Sequence, residues 1–158
     1  MEEVVLYRID DRLIHGQVMT AWSKVTSANH VIIIDDKVVK DTFMCKILTM
    51  AAPRDMSVEI LSVEDGIKRL KNLEDSNKKT IVLMKIPEVA LKLVEAGIKM
   101  PYLNVGGMGA GAGRKPLFRN ISASPQEVEQ LKKIEELGVP VQLRIVPDDK
   151  PTPLNKVK

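Results

Sequence analysis

The chain has 158 residues, with 24 Lys and Arg against 21 Asp and Glu, which gives a net charge of +3. This length and a hydrophobic content of 44% indicate one domain with a substantial core and exclude a wholly disordered chain. Two histidines, one cysteine and 3% aromatic residues exclude a disulfide framework, a His/Cys-rich metal cluster and a surface of stacked bases. The small, dispersed charge gives no sign of nucleic-acid binding.

Neither end of the chain carries a recognisable targeting signal. The N-terminus, residues 1–3, is acidic where a signal peptide is basic, and no apolar run approaches the ~18–20 residues of a membrane span. Together with the single cysteine, this predicts a cytoplasmic protein.

Runs of strand-forming residues alternate with helical patterns along the chain. Apolar, largely β-branched runs predict strands over 4–9, 30–34, 58–61, 80–84, 102–105, 119–123 and 141–146. Helical spacing, with Ser, Pro or Gly at the ends, predicts helices over 18–25, 40–52, 63–70, 87–97 and 125–138. The alternation predicts a single doubly wound α/β domain, with a mostly parallel sheet of about seven strands covered by helices on both faces. We expect this domain to span 1–146 and to be followed by a poorly ordered tail, 147–158.

The loop after the first strand has the composition of a phosphoryl-transfer site. In sheets of this kind ligands bind beyond the carboxyl ends of the strands. His15 falls at a helix N-terminus, where backbone amides favour an anion, and Gly16 leaves room for a close oxyanion. Arg8 and Arg12 offer donors matched to phosphate oxygens.

A carboxylate of the same loop can orient the histidine. Either Asp10 or Asp11 can hold one ring nitrogen of His15, which fixes the tautomer and leaves the other nitrogen as a nucleophile. A single loop histidine is more often an ordinary surface residue, but these neighbours favour a functional one. The second histidine, His30, opens an apolar strand and is predicted to be structural.

A glycine-rich segment, residues 106–113, follows the fifth predicted strand. Gly107, Gly109 and Ala112 fit the dinucleotide pattern G-x-G-x-x-A, but Pro116 follows closely and no long helix begins there. A phosphate-binding P-loop is excluded because Ala112 stands where its lysine belongs. An amide-rich loop that closes over an anion and a mobile surface loop both remain possible.

The first motif resembles a known family. Residues 8–18, Arg-Ile-Asp-Asp-Arg-Leu-Ile-His-Gly-Gln-Val, with Trp22 one turn later, are similar to the signature of the IIB subunits of the mannose/fructose/sorbose class of the bacterial phosphotransferase system. Further segments that match the family are 34–36, 104–108, 113–114, 124–125 and 146–149. The resemblance therefore covers nearly the whole chain.

This resemblance implies a function and a set of partners. In the family, the histidine matching His15 accepts a phosphoryl group from a phosphohistidine on a IIA protein or domain. It passes that group to a sugar that enters through the IIC and IID membrane subunits, so peripheral association with a membrane complex is expected. Arginine and backbone donors can neutralise the charge, so no metal or other cofactor is expected.

The motif match and the chemistry of the side chains together define a predicted site. His15, Asp10 and Arg12 are predicted to be catalytic. The predicted phosphate-binding residues are Arg8, Asp11, Gly16, Gln17, Gly106 and Gly107. Two alternatives remain open, a Rossmann-like nucleotide-binding module built on the glycine-rich segment and a non-catalytic regulatory domain.

Overall fold

The computed structural model describes residues 1–156, except the side chain of Gln17, and contains nine strands and five α-helices there. The strands are β1 (Glu3–Asp10), β2 (His30–Ile34), β3 (Ser57–Leu61), β4 (Lys79–Met84), β5 (Leu103–Gly107), β6 (Lys115–Phe118), β7 (Ile121–Ala123), β8 (Val141–Leu143) and β9 (Thr152–Pro153). The helices are α1 (Gly16–Thr26), α2 (Thr42–Ala51), α3 (Val63–Lys71), α4 (Pro87–Glu95) and α5 (Pro125–Glu136), with short 3-10 turns at Val38–Lys40 and Leu154–Lys156.

Seven strands form the main sheet, in the order β3-β2-β4-β1-β5-β8-β9. All neighbouring pairs are parallel except β8 and β9, which are antiparallel. The chain leaves β1 towards β2 on one side, while β5 lies on the other side, so the loops that follow β1 and β5 diverge. Such a divergence opens a crevice at the carboxyl edge of a parallel sheet. The mostly parallel, seven-stranded sheet confirms the predicted α/β fold class.

Helices cover both faces of the sheet, as predicted. On one face, Met19 and Trp22 of α1 and Leu48 of α2 pack with Ile33 of β2 and Leu83 of β4. On the opposite face, α3, α4 and α5 bury a larger cluster against alternate residues of the same strands. In β1 the side chains of residues 6, 8 and 10 share one side of the strand, because successive side chains alternate. This alternation places Arg8 and Asp10 on the same side as Leu6, which packs with α1.

Hydrogen-bonding side chains fix the starts of several helices. Ser124 and Glu127 form the capping box predicted at the start of α5, and Ser62 accepts from the amide of Asp65 at the start of α3. Asp41 caps α2 through the amide of Met44. Such caps are typically worth about 1 kcal/mol each.

The strand predicted over 119–123 begins two residues later, at Ile121, and it lies outside the main sheet. Arg119 adopts a positive φ of 44° and turns the chain, so that β6 and β7 form a separate antiparallel hairpin. The predicted helix 40–52 begins two residues later, at Thr42, after the 3-10 turn. The last predicted strand, 141–146, ends at Leu143, because the carbonyls of residues 144 and 145 turn to accept from Arg8.

The segment after Val146, expected to be poorly ordered, contributes to the sheet. Thr152 pairs with Leu143 in the β8–β9 ladder, and Leu154 is buried. Residues 157–158 lie outside the part of the chain that the structure describes. The division of the chain at residue 146 stays a prediction.

Candidate phosphoryl-transfer site

The loop between β1 and α1 is held by two buried side chains and two left-handed residues. Leu13 and Ile14 pack into the core cluster on the α1 face. Leu13 has φ 58° and Gly16 has φ 36°, and the amide of Leu13 donates to the Asp10 carbonyl at 2.9 Å. No atom lies within 4 Å of a Cβ built on Gly16, so its backbone conformation is the feature that favours glycine here. This turn leaves His15 at the N-cap of α1, with its side chain 25% exposed.

Asp10 is the centre of the site. Its carboxylate is 1% exposed, and its Oδ2 atom lies 3.2 Å from Nε2 of His15 and 3.1 Å from Nη2 of Arg8. Its Oδ1 atom accepts from the backbone amide of Arg12 at 3.1 Å and from Nε of Arg12 at 3.2 Å. Of the two carboxylates that the sequence left open, Asp10 is therefore the one that orients His15.

The charge on Asp10 is stabilised in place. Burial alone would raise the pKa of Asp10, but the hydrogen bonds and positive charges of Arg12 and Arg8 hold it below its usual value. Burial lowers the pKa of Arg8 to about 10, with the Asp10 charge opposing the change. Both groups are therefore ionised at neutral pH.

Arg8 is buried behind Asp10 and does not reach the exposed surface of the site. Its side chain is 2% exposed, and its Nη1 donates to Asn104 and to the carbonyl of Arg144. Its Nη2 donates to Asp10 and to the Ile145 carbonyl, and the guanidinium stacks on Trp22 at 5.1 Å. These acceptors occupy both terminal nitrogens, so Arg8 positions Asp10, in place of the phosphate-binding role the sequence suggested.

Arg12 has the geometry of a phosphate ligand. Its Nε and Nη2 atoms contact Asp10, yet its side chain is 52% exposed. Its donors therefore face both the buried carboxylate and solvent. Of the two arginines in the motif, Arg12 is the one able to meet an incoming anion.

Gly106 and Gly107 belong to β5 and are buried. A Cβ on Gly106 would lie 2.0 Å from the Arg8 guanidinium, and one on Gly107 would lie 2.6 Å from Oδ1 of Asp10. Both glycines are therefore required for the close packing of β5 against Arg8 and Asp10. Their place beneath those side chains does not match the phosphate-binding role predicted for them.

Asp11 ties the glycine-rich segment to the site. Its Oδ2 accepts from the Gly109 amide at 2.7 Å and from Nη1 of Arg114 at 3.3 Å. Arg114 also forms a two-contact ion pair with Glu127 of α5, at 2.8 and 2.9 Å. Asp11 therefore holds this segment against the β1–α1 loop. Because its carboxylate is negatively charged, it is unsuited to contacting a phosphate directly.

The N-termini of α1 and α4 lack the side-chain caps found at the other three helices. Asp41, Ser62 and Ser124 cap α2, α3 and α5, whereas the His15 side chain makes no cap hydrogen bond and the first turn of α1 contains no acidic residue. The first amides of a helix have no acceptor within it and carry partial positive charge. Gln17, also predicted to bind phosphate, lies in this turn, but its side chain is outside the described part of the structure.

His30 is remote from this chemistry. It is 2% exposed at the start of β2, with Nδ1 2.5 Å from Oγ of Ser57 and Nε2 2.5 Å from Oε2 of Glu59. The amino ends of the strands carry this group, and His15 lies at the carboxyl ends. The structural role predicted for His30 fits this placement.

Three site-supporting residues were not identified as such from the sequence. Arg8 donates to the side chain of Asn104 and to the backbone carbonyl of Arg144. Trp22 donates through Nε1 to the Ile145 carbonyl at 3.2 Å. Trp22 and Asn104 lie in segments that resemble the family, but the sequence indicated no supporting role for them. All three residues act through long-range contacts that no local pattern encodes.

Comparison with known proteins identifies the family. The family described as "PTS system sorbose subfamily IIB component" matches residues 4–157. The sorbose-specific EIIB component of Klebsiella pneumoniae is 37% identical over 93% of this chain and 90% of its own length. The mannose-specific EIIAB component of Escherichia coli K12 is 34% identical over 91% of this chain, but this match covers only 45% of that relative.

Solved structures agree with this result. The crystal structure of the IIBSor domain of the sorbose permease from Klebsiella pneumoniae matches with a TM-score of 0.92 at 37% identity, over 98% of this chain and 95% of that one. A domain of this fold with these relatives is a phosphoryl-transfer component of a sugar phosphotransferase system. The chain belongs to the sorbose subfamily of its IIB components.

The nucleotide-binding alternative is not favoured. Gly107 ends a strand, and the segment after it leads into the β6–β7 hairpin, whereas a dinucleotide fingerprint opens a helix.

None of the helices within residues 1–156 combines the length and hydropathy needed to span a bilayer.

Proposed function

We propose that this protein carries a phosphoryl group on His15, between a phosphohistidine of a IIA protein or domain and a sugar delivered by IIC and IID membrane subunits. The observation that carries the proposal is the contact between Nε2 of His15 and the buried Asp10 carboxylate. A carboxylate at this position favours a proton on Nε2, so that Nδ1 holds the lone pair. Nδ1 is therefore the nucleophile.

The first step transfers the phosphoryl group between two imidazoles. The Nδ1 lone pair attacks phosphorus and forms the new P–N bond while the P–N bond to the donor histidine breaks. The donor ring leaves with that electron pair. During the attack, positive charge develops on the His15 ring, and the Asp10 carboxylate stabilises it through Nε2–H.

Two groups are placed to hold the oxygens of the transferred phosphoryl group. Arg12 presents donors to solvent, and the first amides of α1, which the His15 side chain does not cap, follow His15 directly in the chain. Phosphoryl transfer depends mainly on such positioning and charge stabilisation. Arg8 contributes indirectly, by fixing Asp10.

The second step returns the lone pair to His15. A sugar hydroxyl oxygen attacks phosphorus, the P–Nδ1 bond breaks, and the hydroxyl proton passes to a base that we assign to the membrane partner. These two steps make the protein a phosphohistidine–sugar phosphotransferase. A cytoplasmic location, peripheral to the membrane complex, follows from these partners.

The names of the relatives support the partners. The mannose-specific relative is an EIIAB component, in which A and B functions share one chain, and the Klebsiella pneumoniae structure is a domain of a sorbose permease. The first name supports a IIA partner, and the second supports a permease partner. The sugar itself is selected by the permease subunits under this proposal.

The test is transfer of labelled phosphate from phosphoenolpyruvate through the general phosphotransferase proteins and the IIA partner. We expect the wild type and His30→Ala to become labelled and His15→Ala to remain unlabelled, with circular dichroism confirming that each variant folds. Labelling of His15→Ala would overturn the proposal.

A further inference from the structure

Helix α2 has an apolar side that is left exposed within residues 1–156. Of its ten residues only Leu48 is buried, while Phe43, Ile47 and Met50 are 73%, 42% and 79% exposed. These three follow a spacing of four and three residues, which places them on one side of the helix. With Met44, at 38%, they form what we call the α2 face. Among residues 1–156, the other large exposed hydrophobic side chains are scattered singly: Met1, Val25 and Leu137.

The α2 face continues into the catalytic loop. A cleft of about 350 Å³ lies between α2 and the β1–α1 loop. Its lining includes Met44 and Leu48 of α2 and also Arg12 and Leu13 of the β1–α1 loop. A protein seated on the α2 face would therefore extend to Arg12, the residue placed to bind the phosphoryl group.

The charge of the cleft is predominantly positive. Lys37 and Lys85 join Arg12 in its lining. Its two carboxylates already have partners, because Asp11 is paired with Arg114 and Asp41 caps α2. The cleft therefore fits an anionic partner, and a phosphorylated histidine is strongly anionic.

We propose that the α2 face and this cleft are the docking surface for the phosphorylated IIA donor. This inference rests on the proposed function, since it supplies the surface on which the donor histidine reaches His15. An apolar patch bordered by charged groups is typical of a protein–protein interface, with exposed aromatic and Met side chains as its anchors. A second copy of this chain is disfavoured, because a symmetric contact would bring the same cations together.

The experiment measures phosphoryl uptake by a Phe43→Ser/Met50→Ser variant from two donors. One donor is the phosphorylated IIA protein, and the other is phosphoramidate, a small molecule that phosphorylates histidine without docking. Both replaced side chains are largely exposed, so the fold is retained. Leu137→Ser, which removes an apolar side chain of 49% exposure at the end of α5, is the matched control.

We expect the half-saturating concentration of phosphorylated IIA to rise at least tenfold in the double variant, while the rate with phosphoramidate stays at the wild-type value. Leu137→Ser should match the wild type with both donors. An unchanged half-saturating concentration would overturn the docking proposal, as would an equal loss with both donors or an equal rise in the control.

Other occupants give distinct results. If the IIA step is unchanged but sugar phosphorylation by matched IIC and IID subunits is lost, the α2 face belongs to the membrane subunits and the proposal is overturned. It is also overturned if the IIA step is unchanged and only binding to phosphatidylglycerol vesicles is lost. Failure of the wild type to take phosphate from either donor would instead overturn the proposed function of His15.

Discussion

Arg8 and Asp10 form a buried ion pair, with Nη2 of Arg8 3.1 Å from Oδ2 of Asp10 and side-chain exposures of 2% and 1%. The two residues point to the same side of β1 because they are two positions apart in a strand. Their pairing places a charged carboxylate 3.2 Å from Nε2 of His15. A charge buried this deeply is held by its partners, so the site and the stability of the domain are coupled.

Asp10→Asn is expected to damage both stability and transfer. The substitution leaves the Arg8 guanidinium buried without its counter-ion, which should lower the free energy of unfolding by about 3 kcal/mol. It also removes the charge that stabilises the His15 ring, so uptake from phosphorylated IIA should fall by about 100-fold. Urea denaturation and rapid-mixing label transfer measure the two effects.

Asp11→Asn provides the matched comparison. Asp11 contacts Arg114 and Gly109 at the partly exposed rim, so the loss of its charge should cost about 1 kcal/mol or less. An equal loss of transfer rate in Asp10→Asn and Asp11→Asn would contradict the assignment of His15 orientation to Asp10.

Arg12→Ala separates catalysis from stability. The Arg12 side chain is 52% exposed, so its removal should change the free energy of unfolding by less than about 1 kcal/mol. The same change removes charged donors from the phosphoryl group and should slow transfer by about 100-fold. Arg119→Ala, which removes an exposed arginine paired with Asp149, should leave the rate unchanged. Wild-type transfer by Arg12→Ala would refute its role in phosphate binding.

Substitution by alanine should destabilise the domain strongly at Gly106 and very little at Gly111. Gly106→Ala places a Cβ 2.0 Å from the Arg8 guanidinium and should destabilise the domain by about 3 kcal/mol, the upper range for overpacking. Gly111→Ala meets its nearest neighbour, Arg114 Cδ, at 3.8 Å and should be tolerated. Thermal unfolding of the two variants checks this contrast. Equal unfolding temperatures of the two variants would show that the close contact between Gly106 and Arg8 does not limit the stability of the domain.

Acid unfolding should involve Glu2 at the opposite end of the sheet. Burial alone would raise the pKa of Glu2, but hydrogen bonds from Arg69, from the Glu74 amide and from Thr80 lower it to about 2. A lowered folded-state pKa adds stability that is fully present above the unfolded value of 4.5 and is lost as the pH falls towards 2. The contribution is about 3 kcal/mol. Glu2→Gln should flatten the pH dependence of urea unfolding between pH 5 and pH 2, and an unchanged slope would contradict it.

The sequence predicted the elements of the fold well because local patterns determine them. The β-branched run of β2 and the capping box of α5 carry their own signals, and both are found where expected. The β6–β7 hairpin was missed because its turn depends on a positive φ at Arg119, a conformation that the residue type does not indicate.

The depth at which each side chain of the motif lies could not be predicted from the sequence. A motif shows that Arg8, Asp10, Arg12 and His15 occur close together, but not which of them is buried. Arg8 is separated from solvent by Asn104 and by the carbonyls of residues 144 and 145, which lie about 100 residues or more away in the sequence. Strand alternation and these distant contacts make Arg8 a supporting residue, and they leave Arg12 at the surface.

Mapping the phosphorylated nitrogen shows whether Nδ1 of His15 carries the phosphoryl group. The wild-type protein would be phosphorylated by the IIA donor, the modified residue located by mass spectrometry of peptides, and the substituted ring nitrogen assigned by NMR of the intact protein labelled with ¹⁵N at histidine. We expect a single phosphohistidine at residue 15, substituted at Nδ1, with the proton on Nε2 facing Asp10. A phosphoryl group on Nε2 of His15, on His30 or on any other residue would contradict it.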